Sequence, residues 1–388
     1  MGNLLDRPMK DKDTHYFPDL AGMEVGSSGM QGWRLEQEDA HVSVTMTNAP
    51  DHVLVGVFDG HGGAGASAWA AEHIQGFVEA TKSWKDYVEG GTSNKELLSD
   101  ALRQSFLDAD AALRVHQETG GVGADTSGCT AVCCMITPNM IICANAGDSR
   151  AIIATGGKMK EMSFDHKPYN QLERARIEKA GGSVEFKRVD GDLAVSRAFG
   201  DFQYKTSPEL PPEQQKVSPE PDLIVHDRSD VDEFLLLACD GLWDVMSNTE
   251  AAENGRLIFS EGESHMGLAA EEMVDLSLEK GSRDNISAVL VKLPGIKISP
   301  SGSGVAARQA VRQANEKAAE ERERGTGNAR RPRSQSIPQR VLSTIGCRCS
   351  CPPLEHLVCS LAWARCQLRE IAAPALPVRH GSRQREGF

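Results

Sequence analysis

Long hydrophobic runs are missing from this 388-residue sequence, in which no stretch reaches the roughly 18 successive apolar residues of a membrane-spanning helix. The N-terminus also lacks the apolar core of a secretion signal after its first charged residues. Both absences argue against an integral membrane protein and against a secreted one. We therefore expect a soluble intracellular protein, in the cytoplasm, the nucleus or both.

Positive charge is scarce in the first 300 residues. The whole chain has 42 Lys and Arg and 55 Asp and Glu. Of these, 15 Lys and Arg and 7 Asp and Glu follow residue 300, which leaves 27 Lys and Arg and 48 Asp and Glu in the first 300 residues. Proteins that bind nucleic acid rely on Lys and Arg to neutralise phosphates. The acidic body therefore argues against nucleic acid as a partner and favours cations as ligands, whereas the segment after residue 300 is a basic tail.

A zinc-binding pattern is also absent from the acidic body. Five of the ten cysteines lie there in apolar, strand-like contexts, and we interpret them as small buried residues in a reducing compartment. No Cys/His set in that part has zinc spacing. For the five in the tail, the alternatives are metal binding, palmitoylation and no specific role: Cys347, Cys349, Cys351, Cys359 and Cys366.

What the sequence does contain is a set of short apolar segments that each end in an aspartate beside glycine. They are residues 53–58 before Asp59-Gly60-His61, residues 140–146 before Gly147-Asp148, and residues 234–239 before Asp240-Gly241. Each apolar segment predicts a buried strand, and the glycine allows the backbone to turn where the strand ends. An isolated Asp-Gly pair usually makes only a turn. Several such pairs at strand ends predict that their carboxylates lie together at one end of the fold.

Further carboxylates at strand ends or turns extend this set: Glu38, Asp39, Asp244 and Asp284. Magnesium and manganese prefer oxygen ligands and take a few carboxylates while keeping some waters. Two such ions roughly 3.5–4 Å apart would need a bridging carboxylate, for which Asp59 is the candidate.

Two basic side chains accompany the carboxylates. His61, with an unperturbed pKa near 6.5, is a candidate general acid, the alternative being a turn histidine bonded to the backbone. Arg34 is a candidate bidentate ligand for phosphate oxygens, the alternative being a solvated arginine.

Hydrophobic periodicity predicts many short strands in consecutive hairpins and a few amphipathic helices. We predict helices over residues 66–78, 95–115, 170–180, 269–280 and 306–324, a final strand over 286–293, a surface arm over 7–22 and a Pro-rich flap over 183–221. Alternating βαβ units are not found. This pattern favours an α+β fold in which antiparallel sheets are flanked by helices.

Seven motifs together resemble the metal-dependent serine/threonine protein phosphatases of the 2C family. They are Gly32-Trp33-Arg34, Glu38-Asp39-Ala40-His41, Asp59-Gly60-His61, Gly147-Asp148-Ser149-Arg150, Ala194-Val195-Ser196-Arg197, Asp240-Gly241-Leu242-Trp243-Asp244 and Ser282-Arg283-Asp284-Asn285. The resemblance covers residues 22–295, between an arm at 1–21 and the tail at 296–388. It implies an αββα sandwich, in which two antiparallel sheets flanked by helices carry a dinuclear manganese or magnesium centre at one end.

The resemblance also assigns roles to individual residues. It implies that Asp59 bridges the ions, that Glu38 and the Gly60 carbonyl complete one site and Asp240 and Asp284 the other, that Asp39 acts through water, and that Asp148 and Asp244 help to hold a weaker third ion. It implies that Arg34 binds phosphate, that a hydroxide bridging the two ions attacks phosphorus, and that His61 protonates the departing Ser or Thr oxygen. Arg197 and the flap are expected on the substrate side.

The resulting hypothesis is a monomeric phosphatase that acts on phosphoserine and phosphothreonine proteins. A catalytically silent scaffold that binds phosphoproteins is the alternative; it predicts lost metal carboxylates, and all are present. A third hypothesis, a hydrolase of small phosphate esters or nucleotides, shares the metals but predicts no preference for phosphoproteins.

The two ends of the chain carry candidate modification sites. Gly2 is a candidate for N-myristoylation because the first residues are similar to those of the α/β-type members of the family, although Asp6 stands where Ser or Thr is usual. One acyl chain would give only weak membrane binding. In the tail, Ser336 lies in a sequence that resembles the phosphoserine motif bound by 14-3-3 proteins, the alternative being a basic disordered linker.

Overall fold

The computed structural model describes residues 4–119, 125–300 and 302–328. All of the described residues except Gly327 and Asn328 belong to one compact unit, which ends at Thr326. Gly2, Ser336 and the tail cysteines lie outside the described residues, so the predictions made for them stay predictions. Among the described helices, none combines the length and the apolar character that crossing a membrane requires.

The strands and helices follow one another in chain order. The strands are β1 Met9–Leu20, β2 Met23–Gly32, β3 Ala40–Met46, β4 Ala49–Phe58, β5 Gly60–His61, β6 Gly128–Cys129, β7 Ala131–Ile136, β8 Met140–Ala146, β9 Arg150–Thr155, β10 Lys158–Glu161, β11 Val184–Glu185, β12 Arg188–Val189, β13 Phe199–Gly200, β14 Asp222–Asp227, β15 Asp232–Ala238 and β16 Ile286–Lys292. The helices are α1 Gly65–Ala80, α2 Lys82–Glu89, α3 Lys95–Thr119, α4 Gln171–Lys179, α5 Asp240–Trp243, α6 Asn248–Ser260, α7 Met266–Glu279 and α8 Val305–Asn328.

Two antiparallel sheets form the centre of the fold. One has the strand order β1-β2-β16-β15-β9-β10, and the other has the order β14-β8-β7-β4-β3. The hairpin predicted between the Asp39 strand and the Asp59 strand is present, with Val42 opposite Gly56. The prediction of two antiparallel sheets flanked by helices is confirmed.

Each central strand is apolar throughout because both of its faces are covered. Along β15, Leu235 and Leu237 join the core between the two sheets, whereas Phe234 and Leu236 join the core under α6 and α7. The other sheet behaves in the same way, since β4 sends alternate residues into the shared core and into a core beneath α1, α2 and α3. Side chains that alternate along a strand therefore build three parallel cores in four layers.

The structure differs from the sequence predictions at the two ends of the described chain. Residues 7–22 are not a surface arm, because β1 pairs with β2 along the edge of the six-stranded sheet. The helix predicted over residues 306–324 is longer in the structure, where α8 continues to Asn328, and one side of its first turns packs on the domain. Val305 is buried, Arg308 pairs with Glu261 in the turn after α6, and both Arg308 and Arg312 pair with Glu272 of α7.

The predicted flap has its own small core. It holds the short hairpin β11–β12, and its apolar residues cluster with Ile177 of α4: Val189, Val195, Ala198, Tyr204 and Val217. The segment ends where β14 joins the edge of the five-stranded sheet beside β8. This arrangement places the hairpin above one end of the sandwich.

Candidate active site

The strand ends predicted to carry carboxylates meet around one cavity of about 220 Å³. Its lining includes most of the predicted residues: Arg34, Asp59, Gly60, His61, Asp148, Asp240 and Asp284. A larger cavity of about 390 Å³ beside Phe234 and Arg256 has a single acidic residue, Glu233, in its lining. Volume therefore does not identify the site, whereas the collection of carboxylates does.

Asp59 lies at the centre of the carboxylates. It follows β4, and its Oδ2 accepts a hydrogen bond of 3.4 Å from the backbone N–H of Asp240, the first residue of α5. Ligand atoms of Asp39, Asp59 and Cys239 lie within 4.8 Å of one another behind the cavity. Two strands from different sheets thus bring Asp59 and the backbone of Asp240, 181 positions apart, into contact.

Glu38 and Asp244 lie at the margin of the cavity rather than in its lining. The Oε1 atom of Glu38 accepts a hydrogen bond of 2.6 Å from the backbone N–H of Gly63. Asp244 lies beside α5 and lines an adjacent groove of about 400 Å³ that shares Arg34 and Asp284 with the cavity. Both acidic side chains are therefore close to the other carboxylates, but neither lines the cavity itself.

Asn285, to which the sequence motifs assign no role, supports this arrangement. Its Oδ1 accepts a hydrogen bond of 3.0 Å from the backbone N–H of Glu38. Its Nδ2 donates to the carbonyl oxygens of Gln31 and Glu36, at 2.8 and 2.9 Å. One side chain next to Asp284 therefore fixes the segment that carries Arg34 and Glu38.

Arg34 and Lys167 each pair with a site carboxylate. Arg34 donates from Nη2 to Oδ2 of Asp284 at 2.6 Å, and its side chain remains 41% exposed. Burial lowers the pKa of Arg34, but Asp284 and the more distant Asp240 and Asp59 raise it by more, so the guanidinium stays charged. Lys167 pairs with Asp148. Since Arg34 uses one of its five N–H groups on Asp284, others are available to a phosphate.

His61 faces the cavity and is held from behind by Asp201. The Nε2 atom of His61 lies 2.7 Å from Oδ2 of Asp201, a buried carboxylate. Burial lowers the pKa of His61, but Asp201, Asp148 and Glu38 together raise it above the usual value. The local sequence does not reveal this pair, apart from the glycine that precedes Asp201.

Comparison with known proteins agrees with this geometry. Residues 23–286, about two thirds of the chain, match the family model of protein phosphatase 2C. The chain belongs to the protein phosphatase 2C family. Within this family, it is 40% identical to human protein phosphatase 1A over 304 residues, which is 77% of this chain and 78% of that protein. It is 41% identical to protein phosphatase ppm-1.A of Caenorhabditis elegans over 308 residues, but that match spans 64% of the relative's length.

Solved structures of phosphatases give the same result. A phosphatase from a pathogenic strain of Toxoplasma gondii superposes with a TM-score of 0.62 at 26% identity, covering 74% of this chain and 97% of that one. A serine-threonine phosphatase 2C from Toxoplasma gondii superposes with a TM-score of 0.61 at 25% identity, covering 72% and 99%. The αββα sandwich is therefore the fold of this family.

The donor set of this family member fits a hard divalent cation. Burial raises the pKa of Asp59 well above its usual range, and Asp240 and Asp39 raise it further. Burial likewise raises the pKa of Asp240, and Asp148 and Asp284 add to the effect. Carboxylates that repel one another in this way gain stability from a cation between them.

Asp39 and Cys239 show which ligand atoms suit that cation. Both oxygens of Asp39 are buried without a hydrogen-bond partner of ordinary geometry among the described residues. Burial raises the pKa of Asp39 to about 6, although Ser287 and Cys239 nearby oppose the rise. Burial and Asp39 raise the pKa of the Cys239 thiol well above its usual range, so it stays neutral and is no ligand for such an ion.

The arginine of the flap that lines the cavity is Arg188 and not Arg197. Arg197 does not face the substrate side, because its guanidinium pairs with Glu173 and Asp222, at 2.8 Å each, and only 13% of its side chain is exposed. Arg188 of β12 is exposed and lines the cavity together with Leu193, Ala194 and Val195. The expectation for Arg197 is therefore wrong, and Arg188 is the cation that the flap presents.

Proposed function

We propose that this protein serine/threonine phosphatase of the 2C family hydrolyses phosphoserine and phosphothreonine through the cavity at the end of the sandwich. The observation that supports this proposal is the meeting of an exposed arginine, a histidine and at least four aspartates around one small cavity. A phosphate monoester needs charge neutralisation on its oxygens and a proton on its leaving oxygen. The cavity offers residues for both tasks.

The carboxylates are proposed to hold two divalent ions. Asp59, Glu38 and the Gly60 carbonyl would hold one and Asp59, Asp240 and Asp284 the other; Asp39 would act through water, and Asp148 and Asp244 would help to hold a weaker third. When bound, manganese or magnesium would lower the pKa of a water molecule and offset the negative charge of the phosphate.

Arg34 and His61 would act on the substrate directly. Arg34 would bind phosphate oxygens with the N–H groups that Asp284 leaves free, which fixes the orientation of the phosphorus atom. His61 would donate its proton to the seryl or threonyl oxygen as the bond from that oxygen to phosphorus breaks. The oxygen of a water molecule forms the new bond to phosphorus and releases a proton to solvent, from which His61 regains the proton that it donated, so the products are a free hydroxyl side chain and inorganic phosphate.

Substrates, partners and location follow as further proposals. The substrates would be phosphoproteins, which contact the flap and the groove beside Asp244. Phosphorylated Ser336 would bind 14-3-3 proteins, and myristoylated Gly2 would give weak membrane association of a monomeric enzyme otherwise located in the cytoplasm or nucleus. The alternative of a silent scaffold is disfavoured because none of the predicted metal carboxylates is replaced.

The test measures phosphate release from a phosphothreonine peptide by the purified full chain, with and without manganese. Because Asp59 lies at the centre of the carboxylates, Asp59→Asn should lower the rate by at least about 100-fold and weaken manganese binding in calorimetry. Asp227→Asn, at the exposed end of β14, is the matched control and should leave both unchanged. Peptide binding without release by folded protein at any manganese concentration would instead support the scaffold.

A further inference from the structure

His61 is fixed by a carboxylate that does not itself reach the cavity. Asp201 accepts from Nε2 of His61 at 2.7 Å and is only 2% exposed, whereas the His61 side chain is 30% exposed and lines the cavity. Because Nε2 is bonded to Asp201, Nδ1 is the ring nitrogen left to face a substrate. A histidine held in this way has one tautomer and one ring orientation.

The backbone around this pair is specialised to bring the two side chains together. Strands β5 and β13 both pair with β6, so that His61 and Gly200 lie on either side of Gly128. A Cβ atom at Gly128 would lie 2.6 Å from Nε2 of His61 and would also overlap the Asp201 carboxylate. Asp201 itself has a φ of 54°, a left-handed conformation that is uncommon for a residue with a side chain.

A buried ion pair holds the segment that carries Asp201. Oδ1 of Asp110, in α3, accepts hydrogen bonds from the Gly200 N–H at 2.8 Å and from Nζ of Lys205 at 2.7 Å. Lys205 also donates to the carbonyl oxygen of Ala198 at 2.9 Å. Both side chains are buried, so the pair ties the two ends of residues 198–205 to a helix of the main fold.

We propose that Asp201 is the positioning residue for His61, and that the Asp110–Lys205 pair holds Asp201 in place. The inference rests on the proposed role of His61 as the general acid. Asp201 would fix the imidazole ring with Nδ1–H directed at the departing seryl or threonyl oxygen. The proton passes from Nδ1 to that oxygen, while the hydrogen bond from Nε2 to Asp201 is kept.

The leaving group separates this role from a merely structural one. A seryl or threonyl oxygen needs a proton as it leaves, whereas p-nitrophenol leaves readily as its anion. Loss of proton donation should therefore slow hydrolysis of a phosphothreonine peptide far more than hydrolysis of p-nitrophenyl phosphate. A loss of folded protein would lower both rates equally, so the ratio of the two kcat values does not depend on the folded fraction.

The experiment compares these two substrates in the full chain with manganese. His61→Gln and Asp201→Asn should each lower kcat on the peptide by about 10- to 100-fold and on p-nitrophenyl phosphate by less than about 3-fold. Asp232→Asn is the matched control, because Asp232 is equally buried and accepts from Nε2 of His226 at 2.9 Å in a pair outside the cavity lining. It should leave the ratio of the two kcat values unchanged.

Two further measurements connect Asp201 to His61. In the His61→Gln background, Asp201→Asn should cause no additional change in the ratio, because it acts through that histidine. Lys205→Met should shift the ratio in the same direction by a smaller factor. If His61→Gln shifts the ratio and Asp201→Asn does not, the positioning role is wrong while the proposed function stands. If His61→Gln itself leaves the ratio unchanged, His61 is not the general acid. The positioning role of Asp201, which rests on it, is then wrong as well.

Discussion

Glu173 shows how one buried residue holds the base of the flap. Its side chain is only 4% exposed, and its carboxylate accepts hydrogen bonds from Arg176 at 2.6 Å, from Arg197 at 2.8 and 3.1 Å, and from the Ser196 hydroxyl at 2.6 Å. Burial raises its pKa, but the two arginines and Ser196 lower it by more, to about 2. The ionised form is therefore strongly preferred in the folded protein.

This preference predicts a pH-dependent loss of stability. The pKa of Glu173 is lower in the folded chain, about 2, than its model-peptide value of 4.5, so its contribution is fully present above pH 4.5 and declines as the pH falls towards 2. At neutral pH, Glu173→Gln should lower the free energy of unfolding by about 3 kcal/mol. In urea titrations, the difference from wild type should shrink below pH 4.5 by up to about 1.4 kcal/mol per pH unit.

Glu178→Gln is the control for this prediction. Glu178 lies in the same helix, but its side chain is 56% exposed. This substitution should change the free energy of unfolding by less than about 0.5 kcal/mol at every pH. A constant difference between Glu173→Gln and wild type from pH 7 to pH 3.5 would show that ionisation of Glu173 does not contribute.

The candidate ligands could be predicted from sequence, but their supporting partners could not. An aspartate after an apolar strand gives a local signal, and Asp59, Asp148 and Asp240 all lie where that signal predicts. Asp201 and Asn285 act on residues 140 and 247 positions away, so only the folded chain shows what they contact. Arg197 shows the reverse case, because its place in a motif does not reveal that its guanidinium faces Glu173.

At the scale of elements, the hairpin β11–β12 contributes one cavity-lining side chain of the flap, and the segment after it contributes Leu193, Ala194 and Val195. Its turn is strained, since Phe186 and Lys187 have φ values of 50° and 67°. Arg188 follows this turn and lines the cavity, and its Nη1 donates to the carbonyl oxygen of Asp192. The hairpin thus places one guanidinium at the cavity, and the backbone of the following loop accepts one of its hydrogen bonds.

Arg188→Ala should weaken binding of phosphopeptides rather than slow the chemical step. Its guanidinium is exposed and attracts an anionic substrate, which is worth about 1 kcal/mol at such a site. We expect KM for a phosphothreonine peptide to rise about 3- to 10-fold with little change in kcat. The rise should diminish in high salt, because exposed charges are screened.

Lys187→Ala provides the comparison for Arg188→Ala. Lys187 is the adjacent cation in the same turn, but it extends over the ring of Tyr169 and is not part of the cavity lining. KM should then stay within about 2-fold of wild type. Equal effects of the two substitutions would mean that the overall charge of the flap, rather than the position of Arg188, determines binding.

Elements with strong hydrophobic periodicity were predicted, and those that depend on pairing or caps were missed. Helices α1, α3, α4 and α7 and strand β16 lie close to their predicted positions. Strand β1 has a largely polar sequence and forms because its backbone groups make hydrogen bonds with β2. Helix α6 was missed although Ser247 and Glu250 form a capping box at its start, a signal that the sequence does contain.

At the scale of the whole molecule, α8 extends the layered sandwich beyond the span that resembles the family motifs. Glu272 of α7 is fully buried, and its carboxylate accepts from Arg308 at 3.0 Å and from Arg312 at 2.5 and 2.7 Å. Lys12 of β1 reaches the same cluster through Asp275, at 2.8 Å. The first turns of α8 thus cover α7, which in turn packs on the six-stranded sheet.

Replacing both arginines should therefore destabilise the whole domain. In Arg308→Met with Arg312→Met, the buried Glu272 carboxylate loses both guanidinium partners. The free energy of unfolding should fall by about 3 kcal/mol, at the low end for breaking a buried pair because the guanidiniums are themselves about one fifth exposed. Adding Glu272→Leu should restore most of the loss, since an apolar residue has no charge to leave unpaired.

Urea unfolding of the full chain measures these effects, with Lys317→Met on the exposed surface of α8 as the control. The control should stay within about 0.5 kcal/mol of wild type. If the double substitution stays equally close, α8 is not docked on α7 in solution and the domain is complete without it. A large loss that Glu272→Leu reverses would instead show that the buried charge, and not the contact area of α8, makes the helix necessary.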